Sequence, residues 1–383
     1  MIIKNLPIGI LLFTVTTVNT FSQNTQPPSS EQSSVFKPSG NVWGYVFGDY
    51  YYQLHADSTK KRGSTQYAKI AKDYNAFAFR RVYLGYDYNI SPNFSTELLI
   101  AHEGDTLGGQ SRTFYLKAAN VRWKNILPNN DLIIGQSATP IFALTSEKVW
   151  GYRNIEKTII DMRGLGKSND FGIAWQGKLN DKGDYGYNFM VANGTAQKLE
   201  TDKYKKFYGE VYAKFMDQKI ILDVTADYEP SSSTQSKTTL HGFVGYQTDP
   251  ITAGVEVVSQ TQKNAAVDTT LGSANAKNVN ITPIGISVFV RGQIIPDKLN
   301  YFARFDNYNP DTKFDNAFRY KKSPTNYTEN FITAGIDFMP VKNVHFEPNI
   351  WIDSYKSLQN SVTGLAKSDY DMTARLTFYY VFK

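Results

Sequence analysis

Along most of the chain, apolar and polar residues alternate with a period of two, in stretches separated by gaps that are in turn short and long. Successive side chains of a strand point to opposite sides, so each stretch predicts a strand with one apolar and one polar face. The predicted strands are 42–55, 75–90, 93–103, 113–124, 131–138, 169–179, 184–193, 205–216, 219–229, 238–248, 251–261, 282–294, 298–308, 328–338, 343–353 and 369–382. The last is the clearest: Met372, Ala374, Leu376, Phe378, Tyr380 and Phe382 share one face, and Asp371, Thr373, Arg375, Thr377 and Tyr379 share the other. Strand 113–124 is ambiguous, because Lys117 and Arg122 fall on opposite parities and call for a bulge.

The gaps after even-numbered strands are short and carry turn residues, such as Ser91-Pro92, Asp217-Gln218 and Asp249-Pro250. Those after odd-numbered strands run longer. A hairpin meander with two unlike ends is the layout of an outer-membrane barrel, with clipped periplasmic turns and long outer loops. Strands of ten residues or more also suit a tilted membrane crossing of about 9–11 residues better than the soluble mode of about 5–6. The fold class predicted is all-β, a transmembrane antiparallel β-barrel of about 16 strands with both termini in the periplasm.

The first residues add export. Lys4 precedes an apolar run from Ile8 to Val18, and Thr20 and Ser22 stand at cleavage spacing, so 1–22 reads as a signal peptide. Residues 23–40, rich in Gln, Ser and Pro, read as a flexible periplasmic arm, and 41–383 as the barrel. Outer-membrane lipid is the expected surrounding partner.

Composition changes the picture in three places. Cysteine is absent, which removes both a disulfide framework and a lipidated N-terminal cysteine. Net charge is +6, spread without a basic block, which argues against nucleic acid. The 26 Tyr and 24 Phe fit aromatic girdles at the two membrane interfaces.

At about sixteen strands a barrel is too wide for side chains to fill, so its lumen is a water channel or is plugged. The largest gap in the barrel, Thr139–Ser168, mixes Trp150, Tyr152, Ile155, Ile159, Ile160 and Met162 with charges. Such a loop can pack against the wall, fold inward and set pore size and charge. Candidate pore-lining cations are Lys148, Arg153, Lys157, Arg163 and Lys167 in the loop, and Arg81, Arg291, Arg304 and Arg375 on the wall. Lys178 and Lys214 face the lumen by parity, whereas Arg80 points outward to the headgroups. Arg304 and Asp306, two apart on one face, read as an ion pair.

FAFRRVYLGYDYNISPNFS (77–95), GQSATPIF (135–142) and NIEKTIIDMRGLGKSNDFGIAW (154–175) resemble segments of the phosphate-selective porin family. The similarity covers about the first third of the barrel, and beyond Trp175 only the strand pattern continues. It implies a sixteen-stranded homotrimer, the third loop at the constriction, and cationic side chains passing phosphate-like anions. The wall here departs from that pattern. Its cations are matched by Glu97, Glu210, Asp223, Asp227, Glu256, Asp306, Asp337 and Glu347 rather than forming an arginine ladder.

Catalysis finds no support. The histidines at 55, 102, 241 and 345 are dispersed without metal-ligand spacing, and Gly135–Thr139 lacks the second glycine of a nucleophile elbow. No enzyme, metal or cofactor is expected. The reading is a porin for small hydrophilic solutes or anions; the alternative is a barrel acting as adhesin, receptor or scaffold through loops 57–72 and 263–280.

Overall fold

The computed structural model describes residues 36–58, 66–104, 112–314, 327–358 and 369–383. The leader 1–22, residues 23–35 of the arm and part of the loop 57–72 lie outside them. The barrel unit is Pro38–Lys383.

Its strands are β1 Ser39–His55, β2 Asn75–Asn89, β3 Phe94–Glu103, β4 Tyr115–Leu127, β5 Asn130–Ala138, β6 Asn169–Lys178, β7 Tyr185–Ala192, β8 Lys206–Phe215, β9 Ile220–Pro230, β10 Ser236–Gln247, β11 Ile251–Asp268, β12 Lys277–Ile281, β13 Ile284–Ile295, β14 Leu299–Asn309, β15 Tyr327–Val341, β16 Val344–Ser357 and β17 Asp369–Phe382. Each pairs antiparallel with its neighbours, and β1 closes the sheet by pairing with both β2 and β17, with Gly44 opposite Phe382. β12 and β13 both pair with β11 and are separated only by Thr282 and Pro283, so together they make one crossing. The result is a closed sixteen-stranded barrel.

Burial is inverted relative to a water-soluble sheet. On β17, Asp371, Thr373, Arg375 and Thr377 are buried inside while Leu376, Tyr380 and Phe382 face outward and are exposed. Outward aromatics gather beside the short turns, among them Tyr86, Trp123, Tyr185, Phe215, Tyr246, Phe338 and Tyr380, with a second set toward the long loops at Phe77, Phe114, Phe171, Phe207 and Tyr228. Two aromatic bands bracketing an aliphatic belt are the girdles of a membrane barrel.

Three departures from the sequence reading have local causes. Register shifts between Phe47 and Gly48 leave Arg80 as an extra residue on β2, so Arg80 and Arg81 both turn inward, and the outward placement of Arg80 is corrected. A like shift between Leu99 and Ile100 absorbs Lys117, putting it and Arg122 on the same side. Finally, β11 continues to Asp268 and β12 begins at Lys277, where 263–280 had read as loop. The apolar residues of this β11 extension, Ala265, Ala266 and Val267, are consecutive, so alternation cannot reveal it.

Gly135 in β5 has φ of 125°, and a Cβ there would stand 2.3 Å from the Ala119 carbonyl oxygen of the neighbouring strand. Gly135→Ala should cost about 1–3 kcal/mol, read as a lower urea midpoint of the folded barrel in micelles.

Candidate permeation route

The chain between β5 and β6 leaves the wall through a neck, where the Thr139 N–H donates to the Ser168 carbonyl at 2.9 Å. Two short helices follow, α1 Ser146–Trp150 and α2 Ile159–Met162. Gly151 ends α1 in the left-handed region (φ 71°), its N–H reaching the Glu147 carbonyl. This turn aims Trp150, Tyr152 and Ile155 at the wall aromatics Phe243, Phe289 and Phe302. Ile141, Phe142, Ile159, Ile160 and Leu165 form a second cluster with Met190, Tyr208, Val258 and Tyr308. Ile160 is fully buried there, and Ile160→Val should lower stability by about 0.5–1.5 kcal/mol in the same urea assay.

A loop away from bulk water must still satisfy its backbone. Here the inner wall supplies the partners. Arg80 Nη1 donates to the carbonyls of Asn154 (2.8 Å) and Ile155 (2.6 Å), and Arg375 Nη2 to Ile155 at 3.2 Å. Arg291 Nε reaches the Val149 carbonyl at 3.0 Å, Gln260 Nε2 the Leu165 carbonyl at 2.9 Å and Thr225 Oγ1 the Ile141 carbonyl at 3.1 Å. Arg304 donates to the Lys157 carbonyl, and its Nη2 lies 2.5 Å from Asp306 Oδ2. Donors from β2, β9, β11, β13, β14 and β17 thus converge on one segment.

The loop's own charges are also engaged. Arg153 pairs with Glu147 and, at 3.1 Å, with Asp161; Lys157 lies 3.8 Å from Asp161; Arg163 pairs with Glu329 and, at 3.7 Å, with Asp353. Burial is the largest single influence and would raise the Glu156 and Asp161 carboxyls, but Arg80 and Arg375 together with Lys157 around Glu156, and Arg153, Lys157, Arg81 and Lys117 around Asp161, jointly outweigh it, and both titrate below the usual range. Arg81 donates to the Arg80 carbonyl and stands 3.6 Å from Glu103. Lys167 is exposed, its carbonyl accepting from Thr139.

Lys148 is placed differently. It lines a cleft of about 610 Å³ at the end with the short turns, together with Arg122, Lys124, Lys178 and Lys214. Asp131 is the sole carboxylate among the described lining residues, and it is held by Arg122 at 2.7 Å. Among the described residues, Lys124, Lys148, Lys178 and Lys214 form no ion pair. Enclosure lowers the Lys148 amine below the ordinary lysine value; Glu210 opposes this, while Arg122 and Lys214 push further down. A second cleft of about 460 Å³ shares Arg122, Lys124, Leu144 and Gln176, and adds Asp87 and Glu97.

Parity had placed Lys178 and Lys214 on this face. Parity leaves the face of Arg122 open and gives Lys124 no role, although the two share a parity two residues apart beside a turn.

The same barrel occurs in solved structures. Among those similar are the outer membrane channel DcaP of Acinetobacter baumannii (14% identity, TM-score 0.66, covering 90% of this chain and 97% of that one) and an anion-selective porin from Comamonas acidovorans (11%, 0.59, 90% and 100%). A third is the trimer form of OmpT, an outer membrane protein of Vibrio cholerae (10%, 0.53, 90% and 99%). No protein-family model matches the sequence, and no curated relative matches it significantly. At these identities the likeness establishes the fold, which is that of outer-membrane porins.

Proposed function

We propose that this porin-fold chain is a passive channel of the bacterial outer membrane, delivered there by its leader, with both termini in the periplasm and three copies per assembly. It carries small hydrophilic solutes with a preference for anions, phosphate-like ones included. The observation that carries the reading is the cleft at the short-turn end, where five cations face one carboxylate. A low-dielectric mouth lined by one sign of charge concentrates the opposite ion. The wall arginines, together with Glu156 and Arg163 of the loop, hold the loop against the wall, and Arg153 and Lys157 pair within the loop, so anions are selected by the lysines that form no ion pair. The leader expected from the sequence, the outer-membrane and anion-selective neighbours, and the trimeric one support the rest of the reading.

Reconstitution in a planar bilayer across a KCl gradient tests this directly. Stepwise conductance with a reversal potential of chloride sign is expected. Potassium sign would overturn the anion preference, and a folded barrel that never conducts would overturn the channel in favour of a receptor or adhesin. Because the Lys148 amine is lowered, its charge is lost before that of an ordinary lysine as pH rises. The anion preference should therefore begin to fall at a lower pH than the titration of an ordinary lysine would bring it down.

A further inference from the structure

On the wall across from the lysine cleft, the turn between β15 and β16 brings Asp337, His345 and Glu347 together. Phe338 pairs with Phe346 and Gly335 with Asn349, which sets Asp337 against Glu347, with His345 two residues away on the same face. One ligand atom from each of the three lies within 4.8 Å of the others, and His345 Nδ1 is 2.8 Å from Asp337 Oδ1.

Glu347 is fully buried and Asp337 nearly so, yet no Lys or Arg among the described residues forms an ion pair with either. Arg375, on the adjoining strand, spends its donors on Asn349, Tyr67 and the Ile155 carbonyl. Glu347 Oε1 has no hydrogen-bond partner. Two carboxylates side by side out of water repel unless a proton or a cation lies between them. The other oxygens are already oriented, from the loop and from β14. Tyr152 OH donates to Asp337 Oδ2 at 3.1 Å, Asn300 Nδ2 to the same oxygen at 3.3 Å, and Asn154 to Glu347 Oε2.

We propose that Asp337, His345 and Glu347 form a binding site for a first-row divalent transition-metal ion, with Zn²⁺ as its reference ligand. Donors bound at about 2.0–2.2 Å to one ion stand ~3–4 Å apart, so small side-chain rotations close the site. One imidazole with two carboxylates suits zinc or manganese, whereas an all-oxygen shell would suit calcium or magnesium. Tyr152 and Asn154 act as supporting groups that orient the carboxylates, so the ion also ties the loop to the wall. His345 is the least buried of the three and gives an ion access from the lumen.

The test uses the untagged full-length chain, refolded in detergent, stripped with a chelator and titrated calorimetrically with Zn²⁺. One ion per chain is expected. Co²⁺ in its place should give visible d–d absorption that Zn²⁺ bleaches, a readout that needs no variant. His345→Gln should weaken Zn²⁺ binding by at least about 10-fold, the scale at which supporting groups already act, while His55→Gln leaves it unchanged. Folding of each variant is checked by the faster gel mobility of the unboiled barrel. No stoichiometric binding by the wild type, or equal binding by folded His345→Gln, overturns the proposal. Tighter Ca²⁺ than Zn²⁺ binding overturns the assignment of metal class.

Discussion

Arg163→Leu is expected to destabilise the folded barrel by about 3–5 kcal/mol, because removing one partner of a buried ion pair strands the other. The Arg163, Glu329 and Asp353 side chains are all fully shielded from solvent. The guanidinium also lies over the Tyr308 ring at 5.1 Å, so leucine loses a cation–π contact as well. Leucine retains volume and removes charge, which isolates the electrostatic part. Urea unfolding in micelles, followed by tryptophan fluorescence, gives the loss. Adding Glu329→Gln to Arg163→Leu should recover a substantial share of it, since one stranded carboxylate is then neutral. A single variant costing under about 1 kcal/mol, the range of an exposed pair, would show that the site is hydrated rather than dry.

The other large effect is on selectivity. Changing Lys124, Lys148, Lys178 and Lys214 together to glutamine removes four of the five cleft cations and leaves Arg122, which Asp131 already holds. The chloride-to-potassium permeability ratio should fall by roughly tenfold, the lower end of what charge focusing supplies. The measurement belongs at about 0.1 M salt, where the Debye length is about 10 Å and the mouth is not screened away. By contrast, Arg304→Gln should leave the ratio close to wild type, because that guanidinium is already paired with Asp306 and with the Lys157 carbonyl. If the quadruple variant keeps its ratio and Arg304→Gln loses it, selectivity resides at the loop and not at the cleft.

These expectations differ in how far they were visible in the residues alone. The lipid and water faces of β17 were legible because a strand's side-chain period is fixed, and the last strand carries no irregularity. Arg80 was not legible. One bulged residue reverses parity, and nothing in the stretch FAFRRVY marks where the extra residue falls. The end of β11 escaped because Ala265, Ala266 and Val267 follow one another between Asn264 and Asp268 instead of alternating with polar residues. The cations of Thr139–Ser168 could be counted but not sorted. Whether a lysine or arginine is free depends on which carboxylate or carbonyl faces it across the lumen, and those partners are far off in sequence, Glu329 lying 166 positions from Arg163. The cluster of Asp337, His345 and Glu347 was hidden likewise, since 345 and 347 become neighbours of 337 only through the β15–β16 register.

The sequence by itself determined a barrel, its strand number to within an interrupted crossing, its inner and outer faces along the unbulged strands, and the segment left over to enter the lumen. All of these follow from local periodicity and turn chemistry, which act over a few residues. Only the tertiary structure decided that Arg163, Arg304 and Arg375 bind the loop and the wall while Lys124, Lys148, Lys178 and Lys214 stay open to the cleft. Charge neutralisation is a property of the space between side chains, and that space exists only after the sheet has closed.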